Sequence, residues 1–561
     1  MNTVFRFGYW WRKYPLFRFF LILFAFAAAA GCAVGISMHF NRVPHIDKIE
    51  PAVGMPGDVL TVSGACFGDE RNTGFVEIGG SRQTASSYIE WTDTLIRLVL
   101  PSNVRDGLVF VQTEAGRSEG KLFANKADIP VPVPEDITTS LPSVASLSET
   151  AATPGELISI YGTNFGSVRG SGAVYFACGR DMTADNTAAS YIACSDVDYD
   201  YEYWSNTEIR VRVPDGAVSG NVFVTTSKGN SNAQKLRVES PSGEKVFSHK
   251  RTYLLQLSVD IAQIAAQDGS SMLLRLPRPL ELPYQPAVEV TECFPEPLLA
   301  DYDDMIIYHE VIGPGADAEQ FFSANYAVTT YAVSAHIDAA DVETRYDTER
   351  LLYQAGTESD ALVQSADPRI TALCGQVLSG VGANPYRQAR VLYDYLIDTY
   401  TLLPETRGGE ISVFDMLETG AGDAYDFTLL YCMLLRAAGI PCMPLGGILI
   451  DSSLAASAHW WCEFYLEEFG WVPVDIALGA GLPFDGSLPQ EQPARDFYFG
   501  SVDAQRVVFS RGWKEIKPSA ADSKTVAFPR SFALQSIWEE ASAQTESYSS
   551  FWNGPYVLGL Y

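Results

Sequence analysis

A histidine and an aspartate occupy two neighbouring strand patterns in the last quarter of the chain. The stretch SAHWWCEFYLEEFGWVPVDIALG (457–479) alternates as two strands around a turn at 467–470. Adjacent strands would bring His459 and Asp475 within hydrogen-bond reach. An imidazole oriented by a carboxylate passes protons in nucleophilic catalysis. Without a nucleophile, such a pair can instead persist as a buried hydrogen-bonded unit that orients two strands.

A helix pattern precedes these strands. Residues 419–447 read TGAGDAYDFTLLYCMLLRAAGIPCMPLGG, in which Asp423 is placed to cap a helix that Gly439 and Pro441 end. The helix is apolar on nearly every side, which predicts that it is buried in the centre of a domain. A residue in its first turn faces the positive end of the helix dipole, where the pKa of a thiol is lowered.

Both stretches resemble the transglutaminase-like superfamily, over about residues 365–480. The resemblance rests on Gly422, Asp423, Asp426, Phe427, LLRAAGIP (434–441), Gly446, His459, Trp461, Glu463, Gly470, Trp471, Pro473 and Asp475. Members of that superfamily share a papain-like fold and a Cys-His-Asp triad. The resemblance implies that His459 would pass protons and that Asp475 would hold its imidazole.

The resemblance places the nucleophile at Ala424, where a methyl group cannot attack an acyl carbon. Losing a nucleophile of this kind costs about 10⁶-fold in rate. Cys432 lies roughly 12 Å down the helix and cannot replace it. Cys462 should point to the strand face opposite His459, and nothing around Cys442 suggests an activated thiol.

Two functions remain open. The first is a pseudoenzyme that binds a peptide, a protein partner or a component of the cell envelope. The second is an active acyl transferase or a peptide or amide hydrolase, using another nucleophile or water activated by His459 and Asp475. We expect no cofactor and no metal, because the spacing of the nine cysteines matches no zinc pattern.

Two similar stretches precede this domain. GDVLTVSGACFG (57–68) matches GELISIYGTNFG (155–166), and WTDTLIRLVLP (91–101) matches WSNTEIRVRVP (204–214). Short alternating runs broken by Gly, Pro, Asn and Asp are typical of small antiparallel sandwiches. The two copies resemble IPT/TIG domains, which are immunoglobulin-like β-sandwiches that serve mostly as spacers or interaction modules, over residues 43–125 and 141–238.

The second copy contains an insertion with two cysteines. Cys178 and Cys194 would pair in an oxidising compartment or remain two separate thiols. The acidic segment DVDYDYEYW (196–204) that follows is interpreted as a solvated loop, with a calcium loop as the alternative.

The remaining regions complete a multidomain fold class. Alternating strands between Pro and Gly over 245–355 predict a third, β-sandwich-like domain. Helical spacing then marks entry into the C-terminal α+β transglutaminase-like (papain-like) domain, and residues 481–561 form a C-terminal extension. The formal net charge of −29 excludes nucleic acid as a partner, since like charges repel.

An apolar run near the N-terminus predicts where the protein works. Residues 19–38 carry no charge and are long enough to cross a bilayer as a helix, and Arg6, Arg12, Lys13 and Arg18 precede them. We therefore expect residues 1–18 in the cytoplasm, a single-pass membrane anchor at 19–38, and the rest of the chain outside the cytoplasm. The alternative is a lipoprotein anchored at Cys32, since AAGC (29–32) resembles a lipoprotein cleavage box.

Overall fold

The structure is a computed structural model of the chain. It describes residues 43–83, 87–101, 104–105, 107–113, 115–125, 140–180, 190–312, 319–408, 412–486 and 492–561. The predicted cytoplasmic segment, the anchor and Cys32 lie outside these residues. Among the described helices, none is long and apolar enough to span a membrane. The chain divides into two compact units, residues 1–139 and 140–561.

The first unit contains a β-sandwich. Its strands are β1 His45–Glu50, β2 Val53–Gly54, β3 Val59–Ala65, β4 Phe75–Ile78, β5 Ser81–Arg82, β6 Tyr88–Trp91, β7 Leu95–Val99, β8 Gly107–Thr113, β9 Gly116–Arg117 and β10 Lys121–Asn125. One sheet has the order β1-β3-β7-β6, and the other has the order β2-β10-β8-β4-β5 with β9 beside β8. The alternating inward residues of both sheets, such as Leu60 and Val109, form the core.

The second unit begins with a sandwich of the same topology. Its strands are β11 Ser143–Leu147, β12 Ala151–Ala152, β13 Leu157–Thr163, β14 Ala173–Cys178, β15 Ser190–Ala193, β16 Tyr201–Trp204, β17 Glu208–Arg212, β18 Ala217–Thr226, β19 Gly229–Asn230 and β20 Gln234–Val238. Trp91 and Trp204 each donate an indole hydrogen bond of 3.1 Å, to the carbonyls of Phe67 and Phe165 respectively. The two copies of the sequence repeat therefore also share this tryptophan hydrogen bond.

The insertion in the second sandwich does not hold a disulfide. The backbone N–H of Cys194 donates to Val174, four residues from Cys178 on β14. Four strand residues span roughly 13 Å, which is too far for a disulfide. The two cysteines are separate buried thiols.

The acidic segment after the insertion is not a solvated loop, because Asp198 and Asp200 are only 9% and 3% exposed. Both carboxylates are engaged by protein donors, Asp198 by Arg511 and Trp471 and Asp200 by the backbone N–H of Ser195. The interpretation as a solvated loop was therefore wrong for these two carboxylates and for Tyr201–Trp204, which form β16, while Val197 and Tyr199 are exposed.

A third sandwich follows, and the first and last of its first six strands are very long. The six are β21 Gly243–Ala266, β22 Ser271–Pro277, β23 Ala287–Phe294, β24 Leu299–Tyr302, β25 Met305–Val311 and β26 Gln320–Ile337. β21 and β26 pair antiparallel along most of their length, from Gly243 opposite Ile337 to Ile261 opposite Gln320. The inward residues of these strands form one apolar core.

The α+β domain follows the long hairpin. Its helices are α1 Leu351–Thr357, α2 Pro368–Val377, α3 Pro385–Thr399, α4 Asp415–Thr419, α5 Ala424–Ala437, α6 Ile476–Gly479 and α7 Ala494–Phe497. Its strands are β27 Thr401–Leu402, β28 Ala421–Gly422, β29 Cys442–Ile450, β30 Ala456–Leu466, β31 Gly470–Val474, β32 Ser501–Val502 and β33 Arg506–Arg511. Four of them form an antiparallel sheet in the order β31-β30-β29-β33. Helix α5 packs in the core beside this sheet.

The C-terminal residues return to the third sandwich. They form β34 Lys524–Val526, β35 Glu539–Ala541 and β36 Thr545–Leu560. β36 pairs with β21, and β35 pairs with β22. The predicted extension from residue 481 thus supplies β33 to the α+β sheet and four strands to the sheets of the sandwich, since β32 pairs with β26. The predicted fold class, with three β-sandwich regions and an α+β domain, is confirmed.

Candidate functional site

The first turn of α5 is fixed by a capping box. The Asp423 carboxylate accepts a hydrogen bond of 3.1 Å from the backbone N–H of Asp426, whose own carboxylate accepts one of 2.9 Å from the backbone N–H of Asp423. This exchange satisfies two of the free N–H groups at the helix start. It places Ala424 as the first helical residue, beneath the positive end of the helix dipole.

Two arginines neutralise the capping carboxylates. Arg530 donates bonds of 2.8 Å to Asp423 and to Asp426, and Arg407 donates one of 2.6 Å to Asp426. Burial raises the pKa of Asp423, and the Arg530 guanidinium opposes that rise. Neither arginine belongs to the motifs that identify this region. Each lies in a loop outside α5 and reaches the carboxylates at the start of this helix.

The structure brings His459 and Asp475 together. Cys462 on β30 pairs with Val474 at the end of β31, so that Asp475 lies diagonally across from His459. The His459 Nε2 atom lies 2.8 Å from Oδ2 of Asp475, and both side chains are almost completely buried. The other oxygen of Asp475 accepts a bond of 3.0 Å from Leu478 and so caps α6. The carboxylate therefore holds both the imidazole and the start of a helix.

Arg506 also holds this carboxylate. Its Nη1 atom donates a bond of 2.8 Å to the same Oδ2 atom that contacts His459, and its Nη2 atom donates one of 2.6 Å to Asp503. Burial alone would raise the pKa of Asp475, but His459 and Arg506 together lower it to about 2. Arg506 lies on β33, outside residues 365–480, and no local spacing predicted its contact with Asp475.

Ala424 lies close to this pair. It packs in a small apolar cluster with Trp460, which follows His459, and with Ala477, which lies two residues after Asp475. One turn along α5, the Thr428 hydroxyl donates a bond of 3.0 Å to the carbonyl of Trp460. Ala424 thus packs against residues that adjoin His459 and Asp475 in the chain.

Residues 530–534, here named the covering segment, lie over this place. Arg530 binds the capping carboxylates, and the carbonyl of Ser531 accepts a bond of 3.0 Å from Trp460. Leu534 packs in the same apolar cluster as Ala424, which is 7% exposed. A side chain at Gly446 would come within 3.0 Å of Leu534, so glycine at this position lets the segment lie against β29. The chain's own side chains occupy the space beside Ala424.

Two other motif residues, Glu463 and Trp471, take part in contacts with the second sandwich. The Arg511 guanidinium donates a bond of 2.5 Å to Glu463 and lies 2.8 Å from Asp198. It also stacks on the Trp471 ring, whose indole donates a bond of 3.0 Å to Asp198. A buried network thus joins the α+β sheet to the acidic segment of the second sandwich.

A cavity of about 570 Å³ lies elsewhere, between the second sandwich, the third sandwich and β33. Its walls include Asp200, Arg278, Glu281 and Arg511, and they do not include the three predicted site residues. The predicted site therefore does not open into this cavity.

Comparisons with known proteins agree with the motifs. Residues 373–476 match the model of the transglutaminase-like superfamily, and residues 44–124 match that of the IPT/TIG domain. The chain therefore carries a transglutaminase-like domain preceded by an IPT/TIG domain, as the sequence predicted.

Individual relatives share only parts of their length with this chain. A cyclomaltodextrin glucanotransferase of Paenibacillus macerans is 35% identical over 74 residues, which are 13% of this chain and 10% of that protein. An uncharacterised protein of Haemophilus influenzae is 26% identical over 159 residues, covering 23% of this chain and 43% of that protein. A solved candidate cysteine protease from Cytophaga hutchinsonii is 16% identical, with a TM-score of 0.32, and covers 53% of this chain and 99% of that one.

Proposed function

We propose that the transglutaminase-like domain is a pseudoenzyme that binds a peptide, a protein partner or a cell-envelope component without turning it over. The observation that carries this proposal is Ala424 in the first turn of α5, where the superfamily places its nucleophilic cysteine. The covering segment supports it further, since an acyl substrate would have to displace Leu534 to reach this position.

The geometry does not favour a replacement nucleophile. Cys432, Cys442 and Cys462 are completely buried in the core of the domain. His459 is 2% exposed and its Nε2 atom faces Asp475, so a hydrolytic water has little access to the pair. The His-Asp pair is better explained as a unit that holds β30 and the start of α6 together.

The chemical part of the proposal is tested with a thiol-reactive acyl analogue of a glutamine peptide. The full chain and its Ala424→Cys variant are incubated with the probe, and adducts are located by mass spectrometry. We expect no adduct on the native chain and one on residue 424 of the variant, formed more slowly when His459→Ala is added. Stoichiometric labelling of the native chain, or ammonia release from a glutamine peptide that disappears with His459→Ala, would refute a pseudoenzyme.

The binding part is tested by affinity capture from solubilised membranes. We expect the full chain to retain a partner, and a chain lacking residues 43–125 to retain it equally well, because the proposed binding domain lies in the second unit. Loss of capture in the shortened chain would instead assign binding to the first sandwich.

We further propose that the chain is tethered outside the cytoplasm, with the IPT/TIG domains as spacers. This rests on the uncharged run at 19–38 and the basic residues before it, with lipidation at Cys32 as the alternative anchor. Protease added outside the cytoplasmic membrane should digest the chain beyond about residue 40 once it is unfolded. A reporter fused after Tyr561 that is active only in the cytoplasm would contradict this topology.

A further inference from the structure

Three cysteines meet in the core of the transglutaminase-like domain. Cys432 lies on α5, Cys442 begins β29 and Cys462 lies on β30. Their sulfur atoms all lie within 4.8 Å of one another, and those of Cys432 and Cys442 are 3.4 Å apart. All three side chains are completely buried. Three thiols from three different elements thus share one enclosed point.

From these distances we propose that the three thiols bind a soft metal ion in trigonal coordination, with Cu(I) as the preferred ion. Metal–thiolate bonds of about 2.3 Å in a trigonal plane place the sulfurs roughly 4 Å apart. The observed 3.4 Å between two of the sulfurs, and the 4.8 Å that none of the separations exceeds, are compatible with that value after a small adjustment of the side chains. Thiolates are soft ligands that select Cu(I) and Zn(II) over harder ions.

The number of ligands distinguishes these two ions. Among the described residues, the group of candidate ligand side chains that meet here contains these three cysteines and no fourth member. Structural zinc takes four ligands in tetrahedral geometry, whereas Cu(I) is satisfied by three sulfurs. The ligand set therefore favours Cu(I).

Arg436 lies beside the cluster and can offset part of its charge. It follows Cys432 by one helical turn, is 5% exposed, and its Nε atom donates a bond of 3.0 Å to the carbonyl of Cys442. Cu(I) bound by three thiolates carries a net charge of −2, with three protons released to solvent. If one thiol keeps its proton, two protons are released and the charge is −1. Arg436 also pairs with the partly exposed Asp360, so it compensates this charge only in part.

The site joins the two elements that carry Ala424 and His459. Cys432 lies two turns along α5 from Ala424, and Cys462 lies three residues from His459 on β30. Because the sulfurs are enclosed, the ion must enter before this core closes. A bound ion would therefore lock α5 to the sheet, which is a structural role rather than a catalytic one.

The experiment refolds the full chain, under reducing conditions, with Cu(I), Zn(II) or Cd(II), and then removes loose metal with a chelator. We expect one retained ion per chain, a higher melting temperature, retention of Cu(I) in competition with Zn(II), and three sulfur neighbours by X-ray absorption at the metal edge. Cys462→Ser and Cys442→Ser should lose the ion. Cys374→Ser should keep it, since Cys374 is buried in the same apolar core but lies outside the group.

Three results would overturn the proposal. The first is metal retention by native chain no greater than by the Cys442→Ser and Cys462→Ser variants. The second is two missing thiols after denaturation without reductant, located to this cluster, which would show a disulfide instead. The third is a metal with fewer than three sulfur neighbours. Because the sulfur count is made on native chain, it decides the matter even if the serine variants fail to fold.

Discussion

At the residue scale, the histidine–aspartate pair is held by a third group. Arg506 donates to the same Asp475 oxygen that faces His459, and it is itself anchored by Asp503. In an active triad the aspartate stabilises the imidazolium that forms during reaction. A carboxylate already paired with a guanidinium has less negative charge to offer for that purpose. The arrangement suits a permanent structural contact better than a proton relay.

The first prediction concerns how Asp475 makes the stability of the second unit depend on pH. Its pKa falls from 3.8 to about 2 on folding, so folding favours the carboxylate. The resulting stability is fully present above about pH 4 and is lost as the pH falls towards 2, and it amounts to roughly 2 kcal/mol. Asp475→Asn should therefore destabilise the second unit near neutral pH, with a much smaller deficit at pH 2.5. Denaturant unfolding followed by tryptophan fluorescence measures this.

The matched control is Asp496→Asn, because the Asp496 carboxylate pairs with Arg390 at the surface. Its effect should stay within about 1 kcal/mol. A deficit for Asp475→Asn that is equal at pH 7 and pH 2.5 would show that packing, and not the charge of this group, causes the loss.

The second prediction concerns the covering segment. In the Ala424→Cys background, Leu534→Ala should speed alkylation by iodoacetamide about tenfold, which corresponds to about 1.4 kcal/mol of opening free energy. The reason is that Leu534 packs in the apolar cluster that encloses residue 424. Labelling is followed at residue 424 by peptide mass spectrometry. Leu534→Ala without the new cysteine serves as the control, and equal rates with and without Leu534 would mean that the segment does not limit access.

At the element scale, the motif strands have two faces with different uses. One face of β30 carries Cys462 and Phe464 into the core around α5. The other face carries Trp461 and Glu463 towards the second sandwich. Residues that resemble a catalytic signature in the sequence therefore also join two domains.

The third prediction tests this junction. Asp198→Asn removes a carboxylate that faces both Arg511 and Trp471. Because the Arg511 guanidinium keeps Glu463 as a partner, we expect a loss of about 2 kcal/mol, below the usual cost of breaking a buried pair. Melting temperature and protease susceptibility of the full chain report the loss. Asp196→Asn, an exposed neighbour paired with Arg169, should change stability by less than about 1 kcal/mol. Equal effects of the two variants would contradict a buried junction.

Sequence patterns predicted local elements better than their remote partners. The capping residue Asp423, the helix that ends near Gly439 and the two strands around 467–470 all follow from local spacing. The covering segment and Arg506 could not be predicted, because their contacts join residues far apart in the chain. Strand β36 is a similar case, since its register with β21 places Phe551 opposite Asp260 with no periodic signal linking them.

At the scale of the whole molecule, the two sandwiches of the repeat differ in how their cores are closed. The buried residues that form the core of the first all belong to that sandwich, and Ile46 and Phe123 are the first and last of them in the chain. The core of the second continues into the third sandwich and the α+β domain, through Phe247, Tyr284, Tyr331, Val333, Leu445, Trp461, Val502 and Val508. Two sandwiches with similar sequences and the same topology can therefore differ in how much their cores depend on neighbouring domains. The difference arises from what each sandwich packs against.

The last prediction follows from this difference. A fragment of residues 43–125 should fold alone, with a β-type circular dichroism spectrum and one cooperative melt, because its core is supplied by its own strands. A fragment of residues 140–240 should be unfolded or melt far below the full chain. Removing its neighbours exposes apolar core residues and leaves buried Asp198 and Asp215 without Arg511 and Lys245. Residues 140–561 should melt as the second unit does in the full chain, which controls for truncation itself. A 140–240 fragment as stable as the 43–125 fragment would show that the shared core contributes little to the stability of the second sandwich.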